Sequence, residues 1–357
     1  MLVVFHHYGW AFGIYWHKGV APRLADYAWV GFVGVQIFFV LSGFVIAYSA
    51  QRVTPINFIR SRLMRLYPAA WVCTACTLLV SFLGHHPFDH QIKSSVDSFL
   101  LSPIGPWVDG VYWTLGVELS FYFIIFLLLV TRNFHRIDIV MSTVGMISTL
   151  CVLYAAGNLH HWFHIPHLGG RYANQVFNIR ILSLLLLPFG CFFALGTLIW
   201  RCLFDRVTLS RLIMILICFA GGLIETRVHA GWVADDFPSR HWIAAPAIFT
   251  VAVLLIVASV RWNVAFHQKV GAKGARVIRR IGLLTYPLYL LHQRAGDVLI
   301  EHLRAHLPYV YCAVLAGMFS LSAAFAINVY AEEPLQRLLR KYIPSKMERQ
   351  KPVLVCS

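Results

Sequence analysis

Apolar residues in this chain come in long unbroken runs, separated by short polar stretches from one end to the other. The runs fall near residues 2–16, 29–50, 68–84, 111–131, 138–156, 181–200, 209–225, 242–260, 281–301 and 309–331. None alternates with a period of two, as the strands of a membrane barrel would. A run of about 20 residues is the length a helix needs to cross the hydrocarbon layer of roughly 30 Å. A helix also satisfies its own backbone polar groups, which lipid cannot do for it. The pattern predicts an all-α integral membrane protein with about ten transmembrane helices.

The first run stands apart. It begins at Met1 without a charged flank. From Leu2 to Trp16 it spans only about 22 Å at 1.5 Å per residue. A helix entering from the cytoplasm should start several residues earlier with a Lys or Arg, so the expectation is that the natural start lies upstream.

Composition agrees with the pattern. Hydrophobic residues are 59% of 357 and charged residues 13%, far below the roughly 25% charged of soluble domains. The net charge of +15 raises nucleic acid as a partner, but its distribution argues against that. Lys and Arg in the segments after the even-numbered runs total 21, counting Arg211 at the edge of the seventh, against 8 in the alternate loops. That asymmetry is a topology signal, and it places both chain ends in the cytoplasm. With no long hydrophilic stretch, residues 1–344 read as one membrane domain and 345–357 as a short basic cytoplasmic tail.

The eight cysteines show no disulfide or zinc framework. Cys73 and Cys76 form a CxxC inside an apolar run, where helix packing is the plainer reading. The longest non-cytoplasmic loops are about 85–110 and 157–180. The second holds His160, His161, His164 and His167 with Trp162 and Arg171, but no spacing among them makes a compelling ligand set. No metal site is expected.

Ionisable residues within a bilayer are costly and default to functional hypotheses. Four places qualify: His6 and His7 in the first run, Glu118 in the fourth, His292 and Arg294 in the ninth, and the FIRSRLMRLYP approach to the third, with Arg60, Arg62, Arg65 and Tyr67. A buried imidazole suits a general base acting on a hydroxyl; either His alone reads equally well as a hydrogen-bonded packing residue. Neighbours on a helix point about 100° apart, so only one of the two can face the bundle centre. A carboxylate in a span needs a cationic or donor partner. Arg62 and Arg65, three apart, share a helical face at the membrane boundary. Guanidinium forks bind phosphate bidentately, although on spacing alone a positive-inside anchor is the commoner role.

Several strings, in order along most of the chain, resemble the membrane-bound acyltransferase-3 family, the bacterial inner-membrane O-acyltransferases of polysaccharides and other cell-surface acceptors. GFVGVQIFFVLSGFVI (Gly31 to Ile46) is similar to its second-span signature. FIRSRLMRLYPAAW (Phe58 to Trp71) is similar to its Arg-rich motif, with Arg62 and Arg65 as the RxxR. YWTLGVELSFY (Tyr112 to Tyr122), including Trp113, puts Glu118 on an acidic motif position. LLTYPLYLLH resembles the ninth-span signature ending in His292, and EEPLQRLLRK the closing E-x-P segment. The family's first span usually reads R-x10-H. Here LVVFHHYG supplies the His end, where His7 fits best and His6 is the runner-up, while the Arg would fall before Met1.

The resemblance implies an acyl-CoA donor, most often acetyl-CoA, and a carbohydrate or glycolipid acceptor. It implies Arg60, Arg62 and Arg65 on the donor's phosphates, His7 as base, and Glu118 orienting a His or balancing an Arg. Small residues Gly31, Gly34, Ser42 and Gly43 would allow close helix approach. Ser42 lacks the strand-to-helix elbow of a nucleophile. The rival readings are a proton-coupled transporter or flippase using His7, Glu118 and His292 as a relay, and a catalytically impaired family member.

Overall fold

A computed structural model describes residues 1–16, 22–84, 91–159, 179–233 and 243–342. The His-rich segment around His160–His167 and the tail 345–357 lie outside them. Among the described residues every regular element is helical. In chain order they are α1 (Leu2–His6, continuing as a π-helix over His7–Trp16), α2 (Pro22–Ala28), α3 (Val33–Ala50), α4 (Pro55–Leu83), α5 (Gln91–Phe99), α6 (Trp113–Val130) and α7 (Ile137–Leu159). Then come α8 (Arg180–Leu184), α9 (Gly190–Phe204), α10 (Leu209–Val233), α11 (Ala244–Arg261), α12 (Asn263–Leu303), α13 (Tyr309–Ile327) and α14 (Glu333–Tyr342).

Among the described residues seven helices are long and apolar enough to cross a bilayer, and the other three predicted runs differ for local reasons. The first is short and passes into a π-helix. The sixth is broken between α8 and α9, where Leu186 takes a left-handed φ of 61°. The ninth is the apolar end of the 41-residue α12, whose first half carries Lys273, Arg276, Arg279 and Arg280. Gly271, at φ 65°, supplies the bend within α12 that a side chain would resist.

The bundle is apolar on its outer face as well as in its core. Large apolar side chains such as Leu79, Phe82, Leu216, Leu254, Leu255 and Met318 point outward, an apolar surface that only lipid can cover. The interior holds aromatics in contact, with Phe193 against both Phe121 (4.7 Å between centroids) and Phe39 (4.8 Å). α3 crosses α9 backbone to backbone: Gly43 lies on the Phe193 carbonyl and Gly196 on the Val40 carbonyl. Thr197 Oγ1 donates to Gly43 O across this seam (3.1 Å). Small residues at such crossings let helices associate by packing where water exclusion cannot drive them.

Part of the stretch expected as an external loop, 85–110, instead folds back on the bundle. α5 lies along α4, and Trp71 Nε1 donates to Phe99 O (3.0 Å) while Tyr67 Oη donates to Leu100 O (3.0 Å). Its polar residues are satisfied locally: Ser98 Oγ donates to Ser94 O and accepts from Val108 N. Polar composition marked this stretch as a loop because it does not reveal that the hydrogen bonds close internally.

At one end of the bundle Thr54 caps α4 by accepting from Asn57 N, with Pro55 at the first helical position. At the same end Asp138 and Asp205 bind Arg201 and Arg211 in a four-residue ion network, at 2.6 to 3.1 Å, that ties α7, α9 and α10 together.

Candidate active site

The π-helical stretch begins at His7, and such stretches cluster at functional sites. The two neighbouring imidazoles lie 5.6 Å apart between ring centroids and find different partners. His6 turns toward the α2–α3 junction, where it is 8% exposed, bonds Trp29 O through Nδ1 (2.9 Å) and stacks on Trp10 at 5.1 Å. His7 turns toward α12, where its Nδ1 lies 2.7 Å from His292 Nε2 and the rings stack at 4.9 Å. His6 is buried and His7 half-buried.

His292 is fully buried and held from several directions. Its Nδ1 faces the carbonyls of Tyr289 (2.9 Å) and Leu288 (3.2 Å). Its own carbonyl accepts from Tyr8 Oη (2.7 Å), which also meets Ser320 Oγ of α13 at 2.6 Å. The Tyr8 ring fits because position 296 is Gly; a Cβ there would overlap it. Tyr286, Tyr289 and His292 recur every three residues on one face of α12. Tyr286 donates to Leu66 O (3.2 Å) and Tyr289 to Val111 O (3.2 Å), with Thr114 Oγ1 2.8 Å away.

Arg294, two residues on, donates through its backbone to the Asp109 carboxylate (2.9 Å) and through Nε to Ser81 Oγ (3.3 Å). Asp109 also caps the turn leading into α6 by accepting from Val111 N (3.1 Å).

Glu118 does not meet a histidine. Its Oε1 accepts from Tyr122 Oη (2.7 Å) and Ser42 Oγ (3.0 Å), so Ser42 is a donor to a buried carboxylate. The link to an arginine is indirect. The Arg62 guanidinium sits over the Tyr122 and Phe58 rings at 5.8 and 5.6 Å, and its Nη2 donates to Ser49 Oγ (3.3 Å). Its Nε is buried without a partner. Arg65 is exposed and Arg60 half-exposed on the same helix end. Trp113 packs on Phe39 and Phe189 and offers its carbonyl to Arg180 Nη2 (2.9 Å), a helix-positioning role.

α4 and α12 run in the same direction, with Cys73 Sγ near Pro287 O (3.7 Å) and Ser81 near Arg294. On that register the Arg62 and His292 levels are about 24 Å apart along the helix axes. The Glu118–Tyr122–Ser42 group lies between them.

Tyr8, Ser320 and Tyr289 do not stand out in the sequence as supports of His292; the three-residue recurrence of Tyr286, Tyr289 and His292 is the signal available there. Another buried acid lies between α10 and α3. Glu225 is 0% exposed and accepts from Gln36 Nε2 (3.1 and 3.3 Å), with His229 Nδ1 3.8 Å away one turn on. Among the described residues no group of three His, Cys, Asp or Glu side chains converges as a metal site requires.

A family model described as "Acyltransferase domain" matches residues 1–327, so the chain belongs to the acyltransferase-3 family. It is 27% identical over 356 residues to the putative membrane-bound transacylase BcsY of Komagataeibacter xylinus, covering 92% of this chain and 78% of that one. It is 30% identical over 112 residues to the exopolysaccharide production protein ExoZ of Rhizobium meliloti (strain 1021), covering 29% of this chain and 35% of that one. The chain thus aligns with about a third of ExoZ and more than three quarters of BcsY. No solved structure matches.

Proposed function

We propose that this protein is a multi-pass O-acyltransferase of the bacterial inner membrane. It transfers an acyl group, in this reading acetyl from acetyl-CoA, to a hydroxyl of a cell-surface or exported carbohydrate. The observation that carries the reading is the His7–His292 pair, two imidazoles joined at 2.7 Å inside the bundle. Family membership supports acyl transfer, and the relatives' printed names support a polysaccharide-linked acceptor.

The charge asymmetry puts the Arg60, Arg62 and Arg65 end in the cytoplasm, where acyl-CoA is made available. Arg62 and Arg65 take the donor's phosphates, with the Tyr122 and Phe58 rings backing the Arg62 guanidinium. The two side chains close several Å of the interval between the arginine and histidine levels. The pantetheine arm fills the rest, passing the Glu118–Tyr122–Ser42 group. At His7 the acceptor hydroxyl loses its proton to the imidazole as its oxygen attacks the thioester carbonyl. The C–S bond breaks, and the departing CoA thiolate recovers the proton from His7. Ser42, engaged with Glu118, has no part as a nucleophile.

The test uses purified protein, [14C]acetyl-CoA, and surface polysaccharide from a host lacking this gene. Turnover of His7→Ala should fall by about 10²–10⁴-fold, while His6→Ala should lose stability more than turnover. Full activity in His7→Ala would end the assignment. Loss of O-acyl esters from the polysaccharide of a deletion strain would identify the acceptor class.

A further inference from the structure

We propose that His292 is a positioning residue that sets the tautomer of His7, and that His7 therefore acts through Nε2. The inference rests on the reading of His7 as the base and adds what makes it one.

The hydrogen bonds around His292 admit one neutral arrangement. Its Nδ1 faces only carbonyl oxygens, those of Tyr289 and Leu288, and a carbonyl cannot donate. Nδ1 must therefore carry the ring proton. In a neutral imidazole Nε2 is then a bare acceptor. The atom facing it at 2.7 Å is His7 Nδ1, which must donate. The one remaining lone pair of the pair is on His7 Nε2, which makes no hydrogen bond among the described residues. An isolated histidine has no such constraint, and without it a share of His7 would hold its proton on the nitrogen that must receive one.

The arrangement is also stiff. Tyr8 Oη, itself held by Ser320, donates to the His292 carbonyl, and α12 supplies the Nδ1 acceptors from the preceding turn. Tyr8 follows His7 directly, so both ends of the imidazole pair are fixed between α1 and α12. During transfer the acceptor O–H proton moves to His7 Nε2, and the oxygen's electron pair forms the new C–O bond. The C–S pair leaves with sulfur, which takes the proton back from Nε2. The Nδ1 proton stays in place throughout, and its bond to His292 strengthens while His7 is cationic. A third group that orients the base is the recurring logic of triad-type sites.

The decisive measurement is 15N solid-state NMR of the full chain in bilayers, labelled on histidine. The His7 signals are assigned by their disappearance in His7→Ala. His7 should show Nδ1 protonated and Nε2 bare; the reverse in the wild type overturns the proposal. In activity assays His292→Phe should lower turnover about 10²-fold with little change in the KM for acetyl-CoA. His292→Gln, whose Oε1 can still accept from His7 Nδ1–H, should recover to within about tenfold of wild type. Equal loss in the Phe and Gln variants, with His7→Ala inactive, refutes the tautomer role and leaves the base assignment standing. An active His7→Ala removes the base reading, and the positioning role with it.

Discussion

Removing the Glu118 carboxylate should destabilise the bundle in a way its amide does not. Oε1 of Glu118 is the shared acceptor of Tyr122 and Ser42, so it joins α3 to α6. Glu118→Gln keeps an oxygen in that place, and its cost should stay under about 1 kcal/mol. Glu118→Ala strands two buried hydroxyls. Each such loss costs ~1–3 kcal/mol in a soluble core, but interhelical hydrogen bonds within a membrane average nearer ~0.6 kcal/mol. Taking about 1 kcal/mol per hydroxyl and a similar amount for the space left behind gives about 3 kcal/mol. Thermal unfolding in nanodiscs, followed by tryptophan fluorescence, measures both variants. Tyr122→Phe completes a double-mutant cycle. Because the Tyr122 ring backs Arg62, Glu118→Ala should also raise the KM for acetyl-CoA. Equal destabilisation by Ala and Gln, or strictly additive effects of Glu118→Ala and Tyr122→Phe, would refute the reasoning.

Three further outcomes are expected. Arg62→Ala and Arg65→Ala should each raise the KM for acetyl-CoA more than they lower turnover at saturating donor; steady-state kinetics decides, and a fall in turnover alone contradicts a phosphate-holding role. The Arg206 backbone N–H and the Arg211 guanidinium hold the Asp205 carboxyl below its ordinary value. A depressed folded-state pKa stabilises above the unfolded value, about 3.9, and that contribution is lost as pH falls through the folded one. The unfolding temperature should therefore drop in that acid range, and less so in Asp205→Asn; an identical acid profile for the variant contradicts this. Gly196→Ala drives a Cβ onto the Val40 carbonyl and should cost about 1–3 kcal/mol. Gly231→Ala meets nothing within 4 Å and should leave the unfolding temperature near wild type.

The fold class was legible in the sequence because lipid imposes a one-dimensional rule. Any crossing segment must be continuously apolar and must satisfy its own backbone, so run length alone reports a helix. Family membership was legible too, since ordered motifs are local strings. The exceptions arose where a local string is not the unit that matters. The sixth run looks continuous but breaks at Leu186, and the polar stretch of α5 closes its hydrogen bonds against the bundle.

The candidate site divides the same way. The sequence by itself placed His6, His7, Glu118, His292, Arg62 and Arg65 at membrane depth or at its edge, because an ionisable group among apolar neighbours stands out. It could not pair them. Residues 7 and 292 become neighbours only when α1 docks on α12, and that depends on Gly296 leaving room for the Tyr8 ring. The tertiary structure also gave Glu118 two hydroxyls rather than a histidine, and gave His6 and His7 different partners. Hydrogen-bond partners are set by which helix faces meet, a property of packing that no single segment contains.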